Sequence, residues 1–456
     1  MNDRAIRSIT VAGDGLVGLS AALAFSRALP QATVTILALP PGPTELADLL
    51  PSTLPTIGRF HAAIGFDELQ LVAGNIAHHH LGTRFTGFGP EPWTHSFGEV
   101  GQGEGAVPFH QLWLRAQQEG RNLPYDRYSA ASVIGGMGKF VHPSGDVASP
   151  LSSYIYGLRL NPARYRAKLD QATRHLRRIE SNDVVVERRA DGAIAALLVD
   201  GGQREEADLF LDCTGSRTLL RADKGTSLED WSDWITATDM DFVWTDDAAP
   251  DPLDHVVRDG SSISLSASSP GANLTASFRP GTSVRPGRTT PFVGNVLALG
   301  EAAVVLGPVQ GTGLSLAHNA ILRAIDLLPG RNCHPLELAE YNRLTAQETE
   351  RARDFVALHH LNTWSAPPPP SLARTLQQWR ARGRLPFFEE ETFDQSSWVQ
   401  ALIGIGALPE AVAPLALAVD SNAAASAMAK LASTIAALPG PMPDYSDYLA
   451  RMAASA

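Results

Sequence analysis

Three groups of residues in this sequence have types and spacings suited to chemistry. The first is Gly13-Asp14-Gly15-Leu16-Val17-Gly18, which fits G-x-G-x-x-G. In such a turn the first glycine permits a sharp reversal, the second lets backbone approach a pyrophosphate, and the third lets a helix pack closely on a strand. The helix that follows supplies free amides and the positive end of its dipole, so Gly13, Gly15, Leu16, Val17 and Gly18 form a candidate phosphate cradle. A glycine-rich turn that binds nothing is the plain alternative. The second group is His78-His79-His80, whose imidazoles titrate near neutrality. A metal suits them poorly, because consecutive residues converge badly on one ion and no carboxylate cluster accompanies them. Half-exposed strand or helix residues with no task are the other reading. The third group is Gly300-Glu301-Ala302-Ala303 followed by Gly307-Pro308-Val309-Gln310-Gly311-Thr312-Gly313, a loop that ends at the start of a helix and could equally be an ordinary capping loop.

These residues need elements to hold them. Ile6 to Val11 is a short apolar run ending at Gly13, Leu19 to Leu29 is Ala-rich with helical spacing, and Thr33 to Leu37 is β-branched, which together predict a strand-helix-strand unit. Asp183 to Glu187 and Ala193 to Val199 flank Asp191-Gly192 and predict a hairpin; Ala207 to Cys213 predicts another strand. Ser261 to Phe278 predicts thin strands, Asn295 to Gly300 a buried strand, and Leu314 to Leu328 a helix stopped by Pro329-Gly330. A long helix from Leu336 to about His360 precedes the stiff run Pro367 to Pro370, after which helical segments continue. The fold class expected is α/β, a Rossmann-like dinucleotide-binding domain with a mixed-sheet substrate part and an α-helical C-terminal part. The expected division is a 1–330 module and a 331–456 helical module.

Bulk properties narrow the function. The chain has 456 residues, 44% hydrophobic and 19% charged, as a folded globular protein does. Its formal charge of −11, with no Lys/Arg block, offers no surface for tracking phosphates, which sets nucleic acid aside. Cys213 and Cys333 are too few for a disulfide framework or a structural zinc site. The residues from Met1 lack a signal h-region and no apolar run of 18 follows, so no membrane association and a cytoplasmic location are expected.

Downstream of the glycine turn, Asp212-Cys213-Thr214-Gly215 at a strand end and the Glu301 to Leu314 stretch follow the order found in FAD enzymes of this fold. Gly215, Glu301 and Leu314 therefore join the cofactor-binding set, with Val185 on a hairpin strand that would pass the adenine side. The carboxylate expected near position 38 to bond a ribose is absent from Ala38-Leu39-Pro40-Pro41.

At this point the chain resembles the flavin-dependent tryptophan halogenases. The resemblance rests on the Gly13 turn, Leu54-Pro55-Thr56, Leu81-Gly82-Thr83-Arg84-Phe85, Val107-Pro108-Phe109-His110, Asp212 to Gly215, Val293-Gly294-Asn295, Gly300 to Gly313, Tyr341-Asn342 with Arg353-Asp354-Phe355, and Asp447 to Arg451. It implies reduced FAD supplied by a separate flavin reductase, oxygen, and chloride or bromide oxidised to hypohalous acid that reaches an indole or similar electron-rich ring. It places the halide against the Thr312-Gly313 pair and the two catalytic positions on His80 and Gln310. There the sequence departs from the family, which has a lysine and an acid at those places; histidine forms no comparable haloamine and glutamine is no base. The Trp-x-Trp-x-Ile-Pro signature is absent from Ser261 to Ala272, while Trp231 and Trp234 lie too early to supply it. The flavin strap, glycine-rich in the family, reads Asp48-Leu49-Leu50-Pro51-Ser52-Thr53-Leu54-Pro55-Thr56. The function implied is halogenation, or hydroxylation now that the signature is gone, of an indole-like aromatic whose pocket walls come from the helical part around Trp364, Trp379 and Trp398, residues that more often belong to the core than to a pocket. A non-catalytic halogenase paralogue acting as partner or regulatory subunit is the alternative, and a homodimer or a pairing with a paralogue fits either.

Overall fold

The glycine turn is held where the chain reverses from β1 (Ser8–Ala12) into α1 (Leu16–Ala28) and returns as β2 (Thr33–Ala38). The computed structural model describes residues 5–50, 52–121, 123–221, 228–246 and 249–455; residues 1–4 and Pro51 of the strap, both used in the sequence reading, lie outside them. By packing, the chain divides into two compact units that interleave along the sequence. The first comprises residues up to Leu71, Leu160–Met240 and Gly281–Glu350; the second comprises Val72–Arg159, Asp241–Pro280 and the chain from Arg351 onward. The 1–330 and 331–456 modules stand as a proposal about independent folding.

In the first unit, six strands run in the order Phe292–Val293, Val296–Ala298, Leu209–Asp212, β1, β2, Arg177–Glu180. All but the edge strand Phe292–Val293 pair in parallel, with Val11 opposite both Leu211 and Ile36. Strands covered on both faces must be apolar throughout, and Val11, Ile36, Leu211 and Leu297 are all buried. Helix α1 is buried on all sides from Leu16 to Phe25 because the helices Pro162–Thr173 and Gly313–Asp326 pack on it as well as the sheet. This explains its small residues: Ala21, Ala22 and Ala24 leave room for close neighbours, and Leu19 and Phe25 each contribute about 2 kcal/mol of apolar burial. The expected hairpin forms as Val184–Arg188 and Ile194–Val199, joined by Gln203–Glu205 in a small sheet.

The second unit holds a six-stranded sheet ordered Thr238–Thr245, Ala272–Pro280, Ser262–Ser269, Leu253–Asp259, Gly82–Thr86, Trp93–Ser96. The Ser-rich stretch expected as thin strands makes two full antiparallel partners, because Ile263, Leu265 and Ala267 alternate into the core. Ala77–His80 pairs with Gly157–Leu160 in a separate ribbon. The strands between Ala77 and Ser96 were not read from the sequence. Helices Pro370–Arg382, Gln395–Gly404, Ser421–Ala437 and Tyr445–Ser455 form the expected helical C-terminal part. Among the described residues no helix is long and apolar enough to cross a membrane.

Each unit buries neutral histidines. In the first, His61 Nε2 lies 3.0 Å from the Tyr165 hydroxyl, and His318 stacks on Phe60 at 3.7 Å. In the second, His359 Nδ1 lies 3.1 Å from the Phe355 carbonyl oxygen. Burial pulls His61 down to about 4 and His359 and His360 down to about 3. Between pH 6.5 and those values the unfolded chain binds protons that the folded chain refuses. Their contribution is therefore complete above about pH 6.5 and is lost as pH falls, by about 3 kcal/mol for His61 at pH 4. Urea unfolding across this range is expected to show stability falling steeply with acid. His61→Gln should reduce that slope by about one proton, or ~1.4 kcal/mol per pH unit; a stability independent of pH there contradicts the assignment.

Candidate functional site

The glycine turn is locked by backbone. Gly13 donates its N–H to the Leu37 carbonyl at 3.0 Å and Asp14 to that of Leu39 at 3.1 Å, tying the turn to the end of β2. Gly13 has φ of 113°, and a Cβ there would lie 2.3 Å from the Cys213 carbonyl oxygen. A Cβ at Gly18 would lie 2.1 Å from the Gly13 carbonyl oxygen. The first and third glycines are thus fixed by close backbone approach, as the motif requires. Asp212 supports the next strand end: its buried carboxylate accepts from the Thr214 N–H and hydroxyl and from the Leu220 N–H. Cys213 is buried against the turn, and burial pushes its thiol well up from its ordinary value; both cysteines are free.

Gly15 differs. The space its side chain would fill holds a carboxylate, with Asp48 Oδ2 and Oδ1 at 2.6 and 2.9 Å from the Cβ position. Asp48 Oδ1 accepts the Leu16 N–H at 2.6 Å, at the start of α1. Burial raises the Asp48 carboxyl to about 6, against the hydrogen bond from Leu16, which lowers it. Asp48 belongs to α2 (Leu46–Leu49), a single turn in the strap. Just before it, Glu45 Oε1 accepts from the Ser216 N–H and hydroxyl, both at 3.0 Å, and the Glu45 carboxylate fills the place of a Cβ at Gly215. Glu301 Oε1 in turn accepts the Leu46 and Ala47 N–H groups at 2.5 and 3.3 Å. Burial, together with a hydrogen bond and like charge from Glu45, raises the Glu301 carboxyl well above its usual range. The second oxygen of Asp14 accepts from Arg178 at 2.6 Å and Arg166 at 2.8 Å.

The loop before helix Gly313–Asp326 completes this unit's site. Gln310 is buried and holds φ of 72°, a left-handed conformation that glutamine adopts only under constraint. Thr312 is buried, and its hydroxyl oxygen has no hydrogen-bond partner among the described residues. Leu314 is buried in the first turn of the helix. A Cβ at Gly313 would lie 3.7 Å from the Ala47 nitrogen, so the strap passes over this pair too. A cavity of 210 Å³ lined by Thr44, Ser216, Glu301 and Ala302 adjoins the strap carboxylates. Val17 is buried against Gly300. Val185 sits half exposed on its hairpin strand opposite Leu198.

In the second unit the three histidines are all buried, which corrects the half-exposed reading. His79 stacks on Phe140 at 3.9 Å, and its N–H donates to the Tyr445 hydroxyl at 2.6 Å. His80 Nε2 lies 2.9 Å from the Gly82 carbonyl oxygen and 3.3 Å from Asp254 Oδ2. Two acceptors at one nitrogen require that it carry a hydrogen. Arg159, wholly buried, pairs through Nε with Asp254 Oδ1 at 2.9 Å and donates to the Ser268 carbonyl at 2.8 Å. Asp254 is placed by register, lying on a strand that pairs in parallel with Gly82–Thr86. Trp379 and Trp398 are fully buried core residues.

Sequence reading found the glycine turn and the Thr312 loop but missed Glu45, Asp48, Asp254 and Arg159. For Glu45 and Asp48 a signal existed: two carboxylates three residues apart after β2, the second of them at the start of the strap, where the family carries glycine. Asp254 and Arg159 carry no local mark, since strand pairing alone unites them with His80.

A parallel sheet with a G-x-G-x-x-G turn at a strand end and a helix N-terminus above it defines a dinucleotide-binding protein of Rossmann type. The tryptophan halogenase family profile matches residues 8–253 and 252–421, and the chain belongs to that family, whose members are flavin-dependent enzymes. The flavin-dependent halogenase BrvH from Brevundimonas sp. BAL3 superposes with a TM-score of 0.89 at 26% identity, over 98% of this chain and 99% of that one. Xcc4156, a flavin-dependent halogenase from Xanthomonas campestris, gives 0.90 at 26% identity with the same coverage. The tryptophan 7-halogenase KtzQ of Kutzneria sp. (strain 744) is 22% identical, aligned over 85% of this chain and 80% of its own.

The two inner glycines give a direct contrast. In Gly18→Ala the new methyl meets backbone, which cannot yield, and the variant should lose about 2 kcal/mol or more. In Gly15→Ala it meets the end of a side chain that can turn away, so the melting temperature should stay within a few degrees of wild type. Equal destabilisation in thermal melts contradicts this description of the turn.

Proposed function

We propose that this chain binds FAD on the Gly13–Gly18 turn and transfers halogen, or oxygen, to an electron-rich aromatic ring of indole type. The observation that supports this most is the preserved cradle: a turn cleared by Gly13 and Gly18 at the start of α1, beside the buried Thr312 hydroxyl. FAD fits these residues once the strap yields the space at Gly15. Reduced by a separate flavin reductase, the cofactor would supply the activation of oxygen that no side chain here can perform.

The chain's own residues divide the remaining work. Leu16 and Val17 present the positive end of α1 to a pyrophosphate, with Gly215, Glu301 and Leu314 around the rest of the cofactor and Val185 toward its adenine end. Backbone of Thr312-Gly313 holds a chloride or bromide. Gln310, neutral at every pH, orients without moving a proton. His80 takes the place of the family lysine as a hydrogen-bond donor: the Asp254 carboxylate, held by Arg159, and the Gly82 carbonyl fix its ring.

Two measurements test this reading. Purified protein mixed with FAD is expected to bind it at roughly tens of micromolar or tighter, seen as a shifted flavin spectrum; no binding, even with Asp48 and Glu45 replaced by alanine, overturns the reading. With a flavin reductase, bromide and a panel of indoles, mass spectrometry is expected to find brominated product, and a hydroxylated product alone would replace halogenation by oxygen transfer. His80→Lys should raise bromination severalfold, the new amine pairing with Asp254; unchanged output removes His80 from the proposed site.

A further inference from the structure

The strap occupies the cradle with its own acids. Asp48 takes the first amide of α1 and the approach past Gly15 that a pyrophosphate would need, and Glu45 takes the Ser216 amide and the approach past Gly215. The two are three residues apart, Glu45 just before α2 and Asp48 within it, and Glu301 clamps the turn between them through the Leu46 and Ala47 amides. The same turn passes Gly313. A helix N-terminus of 13 residues attracts an anion whatever its source. Here the anion is intramolecular.

We propose that Asp48 and Glu45 determine cofactor admission: they act as an internal mimic of the pyrophosphate, and a dinucleotide enters only by displacing them. The inference rests on the Gly13 turn being the cofactor site. It accounts for the chemistry of the strap, in which the Asp48 carboxylate stands where a flexible glycine would leave the amide open. It also accounts for Glu301, whose carboxyl faces another carboxyl and the α2 amides and so holds the plug until a cofactor displaces it. The groups that face Asp48 are Asp14 and Glu45, which raise its carboxyl, and Arg166 and the Leu16 amide, which lower it; Cys213 lies behind the turn. With burial lifting Asp48 to about 6, the plugged state gains a proton relative to an open strap. It is strongest in acid and weakens as pH rises through about 6, so admission improves over that interval.

The experiment is a fluorescence titration of the full chain with FAD, comparing wild type with Asp48→Ala, Glu45→Ala and Asp48→Asn, each checked for folding by circular dichroism. Releasing a hydrogen bond to a charged group should tighten FAD binding about tenfold or more in each alanine variant. Asp48→Asn, which keeps the acceptor in the uncharged form that the wild type reaches only in acid, should bind FAD no more tightly than wild type at pH 7; Glu45→Ala serves should Asp48→Ala not fold. Wild-type affinity should rise between pH 5 and 7 by more than that of Asp48→Ala. Binding by the variants where wild type binds none supports the plug as well. Equal or weaker binding by the alanine variants, with wild type binding FAD, overturns the plug and leaves the cofactor site intact. No binding by any of the four overturns the cofactor reading itself and the plug with it.

Discussion

One hydrogen bond organises the first unit: the Leu16 N–H at the start of α1 donating to the Asp48 carboxylate. The first turn of any helix leaves amides without partners, and α1 is covered by helices and sheet, so water is a poor substitute at that end. An acceptor there, supplied by the Asp48 side chain, satisfies the Leu16 amide. The parallel sheet aims the helix, Gly13 and Gly18 bring its start against the strand ends, and the segment after β2 meets that end through Asp48, while Glu45 bonds the Ser216 amide. Replacing one anion by another is the least costly change available to such a site, and a phosphate-bearing cofactor offers that replacement.

The second unit resolves a similar problem with fixed partners. Asp254 is buried between Arg159 and His80, so its charge is compensated by a guanidinium that the structure never releases to solvent. Removing either partner of a buried pair leaves the other uncompensated, at a cost of about 3–5 kcal/mol. This constraint ties the identity of His80 to its neighbours. A histidine whose Nε2 meets both the Gly82 carbonyl and the Asp254 carboxylate has its ring orientation fixed by them.

Much of the architecture was legible because it follows from local pattern. The apolar run into Gly13, the Ala-rich helix and the β-branched strand after it specify a strand-helix-strand unit, and each appears within two or three residues of its expected bounds. The Asp191-Gly192 hairpin and the helix before Pro329 were equally local. The strands around His80 were not legible, since a run of three histidines has no alternation to read; their burial is imposed by the sheet and by Phe140 and Tyr445. The interleaving of the two units is also beyond local pattern, because it depends on pairing between Leu253–Asp259 and Gly82–Thr86 far apart in sequence. At the cofactor cradle the sequence showed the missing glycines of the strap but not the direction of Asp48, which only the folded turn reveals.

The central claim is that Asp48 competes with the cofactor for the positive end of α1, and Glu45 for the Ser216 amide. Hydrogen exchange of the strap, followed by mass spectrometry while FAD is titrated into the whole chain, tests it most directly. The Leu46 and Ala47 amides, bonded to Glu301 in the plugged state, are predicted to exchange slowly without FAD and faster once it is bound, while the Leu16 amide stays protected. Bound FAD with unchanged exchange at Leu46 and Ala47 would contradict the claim.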